Sequence, residues 1–343
     1  MTALSVTFII KQALKFNLMR RFLLPLLILA LSATAQRHSV RHDVPRDSII
    51  LSDPCVLADS ASATYYMTGT GGRLWKSKNL STWDGPYSVA KPDPQSWTGP
   101  HPAIWAAEIH PYNGKYYYFG TFTNDSIIIC KNHNGDIPRR ATHILVSDSP
   151  GGPFVPAGDA DYLAADAPTL DGTLWVEEDG TPYMVYCGEW LLNDNGTMEA
   201  IALKKDLTAP DGKPFLLFKA SDSPWSREKI DDKIVPNRVT DGPWLFRTGT
   251  GRLGMIWTSW IYDVYTMGVA YSESGKIEGP WIQEPEPLTP PNHGHGMIFR
   301  DLQGRDILSL HSHSVVNGRY VRRPVFFEVD LSGDKLQLGK KID

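Results

Sequence analysis

Residues 241–260 read DGPWLFRTGTGRLGMIWTSW. An acid, Asp241, stands before Gly-Pro. An aromatic run follows, then a turn at GTG, then a second run, LGMIWTSW. Both runs are rich in aromatic and apolar residues and too short for typical helices, and a Gly-containing turn joins them, so the stretch predicts a β-hairpin. The opening acid has a plain explanation as a turn residue, because Asp bonds its own backbone and Pro fixes the next position. The chain on either side supplies a second explanation.

The same pattern occurs four more times. It opens at Asp53 in DPCVLADSASATYYMTGTGGRLW, at Glu108 in WAAEIHPYNGKYYYFGTF, at Asp171 in DGTLWVEEDGTPYMVYCGEW and at His295 in GHGMIFRDLQGRDILSLHSHS. No stretch beyond residue 50 keeps a helical period with caps. Repeats of ~40–50 residues with four strands each mark a propeller. These modules run longer, which requires extended loops. A pair of β-sandwiches would need a linker near the middle, and none is visible. The expectation is an all-β, five-bladed β-propeller. If each module opens with the innermost strand, Asp53, Glu108, Asp171, Asp241 and His295 converge on one axial funnel, and Asp241 is more than a turn residue.

A chain of 343 residues can bury one large core. Its formal charge is −4 with no basic block, which argues against nucleic acid and anionic membranes as partners. The 11 Trp, 14 Tyr and 12 Phe suit a β-rich core or a surface that stacks on sugar rings. Residues 19–36, MRRFLLPLLILALSATAQ, carry basic residues, a short apolar run and a small-residue site. That is an export signal, expected to be cleaved after Ala35, with Met19 a candidate true start. The apolar run is short for a span of ~20 residues, so a membrane anchor is the weaker reading. The propeller is therefore assigned to residues 36–343 of an exported protein, periplasmic or secreted, with no membrane attachment after cleavage. Cys55, Cys130 and Cys187 show neither CxxC spacing nor a partner His, and read as buried free thiols. Nothing in the sequence speaks to oligomeric state.

Carboxylates on rigid strands around an axis suit glycoside hydrolysis. That chemistry needs an ionised base and a protonated acid, ~6.5–9.5 Å apart for inversion and ~5–5.5 Å apart for retention. The motifs SDPCVL, IWAAEIH with GKYYYFGTF, LDGTLWVEEDGTPYMVY, VTDGPWLFR and HGHGMIF occur in that order. Over roughly residues 48–330 the chain thereby resembles glycoside hydrolase family 43, the five-bladed propeller family of arabinofuranosidases and xylosidases. The resemblance implies an inverting glycosidase acting on a carbohydrate substrate. α-L-Arabinofuranosides come first, β-D-xylosides second and β-galactosides stay open, with an exo-acting pocket. Asp53 matches the general base and Asp171 the acid that orients and tunes the donor. Asp241 takes the place of the general acid, where the family commonly has Glu-Gly-Pro. Asp is one methylene shorter, so Glu189, in YCGEW, is a second candidate and is preferred as donor.

The resemblance also places a His at His295 near the axis, beside a bound calcium or a water cluster; the plain reading is a strand-opening His bonded to backbone. No cofactor is required, and a structural calcium ion on the axis is the one metal it suggests. Trp105 is a candidate for stacking on the sugar, against a core role. Glu108 and His311 are candidates for substrate hydroxyl contacts, against bracing and strand roles. Arg247 and Trp260 are assigned to core or solvent. Two rivals stand: a fructoside hydrolase, whose Asp-Pro-Asn and Arg-Asp-Pro motifs are missing here, and a non-catalytic carbohydrate-binding propeller.

Overall fold

Short apolar and aromatic runs separated by Gly, Asn and Asp turns fold into five antiparallel sheets. The computed structural model describes residues 39–228 and 237–343. The export-signal reading of residues 1–35 lies outside them. The first sheet contains β1 (Arg41–Pro45), β2 (Cys55–Asp59), β3 (Thr64–Thr68), β4 (Arg73–Ser77) and β5 (Thr82–Ser88), in the order β1-β5-β4-β3-β2. The second contains β6 (Ala103–Tyr112), β7 (Lys115–Asn132), β8 (Gly135–Ser147) and β9 (Val155–Pro156). The third contains β10 (Thr169–Val176), β11 (Pro182–Gly188), β12 (Thr197–Ala202) and β13 (Phe215–Lys219). The fourth contains β14 (Asp241–Arg247), β15 (Leu253–Ile261), β16 (Val264–Ser272) and β17 (Trp281–Gln283). The fifth contains β18 (His293–Arg300), β19 (Asp306–Val316), β20 (Arg319–Asp330) and β21 (Gln337–Ile342).

Strands β2, β6, β10, β14 and β18 contact one another in a ring that closes from β18 back to β2. The molecule is the five-bladed β-propeller that the repeated openings predict. Among the described residues no helix is long and apolar enough to cross a membrane.

Each apolar cluster lies between two neighbouring blades. Between the third and fourth, Val185, Met198 and Phe218 pack on Met255, Trp257 and Trp281. Between the fifth and first, Phe299, Ile307 and Phe326 pack on Ile49, Tyr65 and Trp83. Three further clusters fill the remaining interfaces. A blade buries its faces only against its neighbours, so the closed ring is the stable unit. Cys55 and Cys187 are buried free thiols as expected, whereas Cys130, on the outer part of β7, is only partly buried.

Every innermost strand carries a β-bulge near its start. Two residues oppose one within Trp105/Glu108, Leu170/Thr173, Asp241/Trp244 and Gly294/Met297. The first blade repeats this count, with Thr70 N–H donating to Ser52 O at 3.0 Å and Cys55 paired with Thr68. The first bulge residues are Asp53, Ala106, Asp171, Gly242 and His295, with φ of 59°, 40°, 56°, 49° and 49°. A left-handed residue at this position re-aims the side chain out of the pleat. Two expected openings are thereby corrected. In the second blade Ala106 holds the axial position, and Glu108 lies beyond the bulge. In the fourth, Gly242 holds it and Asp241 directly precedes it.

The bulge N–H groups are bonded from the preceding blade. Ala106 N–H donates to Thr70 Oγ1 (2.9 Å), Asp171 N–H to Thr121 Oγ1 (2.7 Å), His295 N–H to Thr258 Oγ1 (2.8 Å) and Asp53 N–H to His311 Nδ1 (3.0 Å). In the third blade the residue in that register, opposite Leu170, is Cys187. A thiol is a weak acceptor. Gly242 N–H donates instead to Asp171 Oδ2, at 3.2 Å.

Candidate active site

The bulges bring Asp53, Asp171, Asp241 and His295 together on the floor of a cleft of about 500 Å³, and Glu189, just beyond β11, lines its wall. His295 sits at the centre. Its Nδ1 lies 2.9 Å from Asp241 Oδ1, 3.3 Å from Asp53 Oδ1 and 3.9 Å from Asp171 Oδ2. Its ring rests on Gly242, where an added Cβ would stand 2.6 Å from His295 Cδ2, so this position excludes a side chain. Burial disfavours the imidazolium, but Asp53, Asp241 and Asp171 outweigh it and raise the His295 pKa well above the ordinary range.

The four carboxyls are driven apart in acidity. For Asp53, burial acts upward, and the His295 charge with the His311 contact overcomes it, bringing the pKa down to about 2. Thr70 Oγ1 donates to its Oδ2. Asp241 is lowered too: burial opposes ionisation, but His295 and hydrogen bonds from His295, Asp171 and Tyr265 stabilise the anion. Tyr265 Oη donates to Asp241 Oδ2 at 2.6 Å. Asp171, fully enclosed and beside the Asp241 charge, is raised well above the usual carboxylate range. Glu189 is raised as well, first by burial, against the pull of Arg140. Arg140 Nη1 donates to Glu189 Oε1 at 2.5 Å. Two groups therefore stay ionised, Asp53 and Asp241, while Asp171 and Glu189 hold protons more tightly. A pair of carboxyls with separated acidities around one cleft is the arrangement that acid–base hydrolysis uses.

Of the expected substrate-binding residues, Trp105 lines the cleft and remains 37% exposed, so its ring is open to a ligand. His311 also lines the cleft, with Nδ1 3.2 Å from Asp53 Oδ1 and its ring stacked on Tyr265. Glu108 is outside it. Its side chain is 1% exposed and bonded to His110 Nε2 at 2.6 Å, so it braces the interior and cannot reach a sugar. Trp260 is a correction in the other direction, since it lines the cleft. Arg247 pairs with Glu177 and Glu178 away from the cleft. Tyr265, Thr70 and Arg322 also line the cleft and escape the sequence reading. Tyr265 and Arg322 sit on the third strands of their blades and Thr70 just beyond the second strand of its own, where no opening motif marks them.

The axial position fits an ion or a water. His295 Nε2 is buried and has no hydrogen-bond partner among the described residues. With Nδ1–H turned to Asp241 and the ring held as imidazolium, Nε2 carries a proton for an acceptor such as water, and a cation would have to displace that proton. Asp171, Asp241 and His295 each offer a ligand atom, all within 4.8 Å of one another. Calcium takes ~6–8 oxygen ligands, so water would complete its shell here.

The family model described as glycosyl hydrolases family 43 matches residues 47–328. Comparison with curated proteins gives no match. Among solved structures, an endo-arabinase from Bacteroides thetaiotaomicron is 36% identical, with TM-score 0.72, covering 83% of this chain and 96% of that one. An exo-1,5-alpha-L-arabinanase from a bovine ruminal metagenomic library is 17% identical, with TM-score 0.62, covering 88% and 100%. A xylan beta-1,4-xylosidase from Bacillus halodurans is 17% identical, with TM-score 0.63, covering 87% and 56%. The last two attest the fold.

Proposed function

The chain belongs to glycosyl hydrolase family 43, and from that premise we propose that it hydrolyses α-L-arabinofuranosyl linkages of an arabinose-containing oligosaccharide or polysaccharide, with inversion. The observation that carries this reading is the separation of acidities around the cleft: Asp53 is held ionised and Glu189 is held toward its protonated form. Asp53 takes a proton from the attacking water. Glu189 protonates the departing oxygen. Asp171, raised by burial and by its neighbour Asp241, keeps the donor side of the cleft from gathering further negative charge. Asp241 serves as the anion that fixes His295 and Tyr265 rather than as the donor. A calcium ion on the axis would have to displace the His295 proton, would be held by His295, Asp171 and Asp241, and would supply in place of the imidazolium a fixed positive charge near the carboxylates.

The exo mode rests on a cleft walled by Trp105, Trp190 and Trp260. A second reading, cleavage within an arabinan chain, draws on the endo-arabinase neighbour. β-D-Xylosides are the second substrate class. Export to the periplasm or the medium remains part of the proposal, tested by the N-terminus of the mature protein.

The test is hydrolysis of linear arabinan and of aryl α-L-arabinofuranosides and β-D-xylosides by residues 36–343. Product sizes separate single arabinose release from internal cleavage, and NMR of the first-formed anomer reads inversion. The expected result is arabinose released with inversion and no turnover by Asp53→Ala. A retained anomer, or an Asp53→Ala variant as active as the parent, would overturn the mechanism. A folded parent inactive on all three would point to a carbohydrate-binding propeller.

A further inference from the structure

We propose that the long hairpin of the second blade is the device that aims the proton donor, with Arg140 as its positioning residue; this rests on the reading of Glu189 as that donor. Strands β7 and β8 run for 18 and 13 residues. Their pairing extends from Tyr116 and Ser147 out to Asn132 and Gly135. Partway along the hairpin, Arg140 is 8% exposed. Its Nε donates to Thr123 Oγ1 at 3.0 Å, its Nη1 donates to Glu189 Oε1 at 2.5 Å, and its guanidinium lies 3.9 Å from the Trp105 ring centroid. At the tip, Asn132 Nδ2 and Asn134 Nδ2 donate to Leu191 O at 2.8 and 3.0 Å. Asn134 Nδ2 and His133 Nε2 also bond Asp194 Oδ1, at 3.1 and 2.9 Å. One hairpin thus grips both ends of the segment from Glu189 to Asp194.

The grip selects an atom. Oε1 of Glu189 is occupied by Arg140. Oε2 is buried without a hydrogen-bond partner among the described residues, on a side chain that lines the cleft. With Oε1 engaged, Oε2 is the oxygen left to hold the proton, and since it has almost no exposed surface the cleft wall must yield for a leaving group to reach it. Arg140 bonds Glu189 and Thr123, lays its face on Trp105 and does not itself line the cleft, so it acts through the acid. A sugar stacked on the open face of Trp105 is tied through the same guanidinium to the group that protonates it.

The experiment compares the wild type with Arg140→Met, Arg140→Lys, Asn132→Ala/Asn134→Ala and Glu189→Gln, on 2,4-dinitrophenyl and phenyl glycosides of the sugar that the enzyme cleaves. Amide hydrogen exchange of residues 189–194 is followed in parallel. Arg140→Met should lose about 10²-fold in kcat on the phenyl glycoside and little on the dinitrophenyl one, as Glu189→Gln does. The double variant Arg140→Met/Glu189→Gln should be no slower than Glu189→Gln, and Arg140→Lys should recover part of the loss. The variants of the half-buried tip, which lies outside the core, should speed exchange at 189–194 and not in the fourth and fifth blades. A selective Glu189→Gln beside an unselective Arg140→Met, or unchanged exchange in the tip variants, overturns the proposal alone. An unselective Glu189→Gln overturns the donor assignment and the proposal with it.

Discussion

Asp241 illustrates how its neighbours decide what a carboxylate can do. Its two oxygens are taken by His295 Nδ1 and Tyr265 Oη. A carboxylate stabilised by a cation and a phenol is a poor proton donor. Glu189 also faces a cation, Arg140, but through Oε1 alone, and burial outweighs it, so Glu189 is the better donor. The pH profile follows from these signs. Asp53 must be ionised, and with a pKa of about 2 it stays so through mildly acidic pH. Glu189 must be protonated, and its raised pKa carries that form above the ordinary Glu range. We expect kcat/KM on a poor leaving group to fall as pH rises through the Glu189 pKa, with the acid limb below the usual carboxylate range. Glu189→Gln should abolish the alkaline limb; a limb that persists unchanged would assign it to another group. Tyr265→Phe removes a hydrogen bond to a charged oxygen, a loss of ~1.5–3 kcal/mol. The Asp241 pKa should rise in that variant, read by carboxylate NMR titration.

The bulge is the element that makes the site. It turns one residue per blade toward the axis, and the identity of that residue decides what the axis can do. Asp53, Asp171 and His295 are legible in the sequence because each opening motif begins on the bulge residue itself. In WAAEIH the axial residue is Ala106, and an acid two positions later mimics an opening. The confusion is physical: a bulge shifts the pleat by one residue, and a sequence pattern of period two does not show where. Tyr265 and Arg322 reach the cleft from β16 and β20, so only the packing of blades reveals them. The chain of Thr70, Thr121, Thr258 and His311 acceptors is likewise invisible before the strands are in register.

Cys187 breaks that chain and leaves Gly242 N–H to Asp171. In Cys187→Thr the hydroxyl should compete for Gly242 N–H and withdraw a donor from the Asp171 carboxylate. We expect lower kcat with nearly unchanged melting temperature, and a variant with wild-type kcat would count against the role. Gly242→Ala should destabilise by ~1–3 kcal/mol, because its Cβ meets the buried His295 ring. Urea unfolding measures it.

At the scale of the molecule, the site exists only while the ring is closed. Asp53 comes from the first blade and His295 and His311 from the fifth, so the base we propose is assembled across the seam between the two ends of the propeller. Among the described residues no sheet bridges that seam. It is held by the Phe299, Ile307 and Phe326 cluster against Ile49 and Trp83, by Arg46 Nη2 donating to Ile342 O at 2.6 Å, and by Leu51 N–H donating to Arg322 O at 3.0 Å. Phe326 is fully buried, with Trp83 and Phe299 against its edges. Phe326→Ala should cost ~3–5 kcal/mol in denaturant unfolding. Its activity should fall at temperatures where the far blades are still folded, because the seam opens first. Loss of activity only with global unfolding would contradict a weak seam. The five-blade plan is readable from the repeated openings. Closure is not, since it rests on residues nearly three hundred positions apart.

The most direct test of the whole account is the dependence of kcat on leaving-group acidity for Glu189→Gln beside Asp241→Asn. Glu189→Gln should make the rate fall steeply as the leaving group becomes more basic, while Asp241→Asn lowers the rate for all leaving groups alike. The reverse, a steep dependence in Asp241→Asn and a shallow one in Glu189→Gln, would show that Asp241 is the donor and that the division of carboxyls described here is wrong.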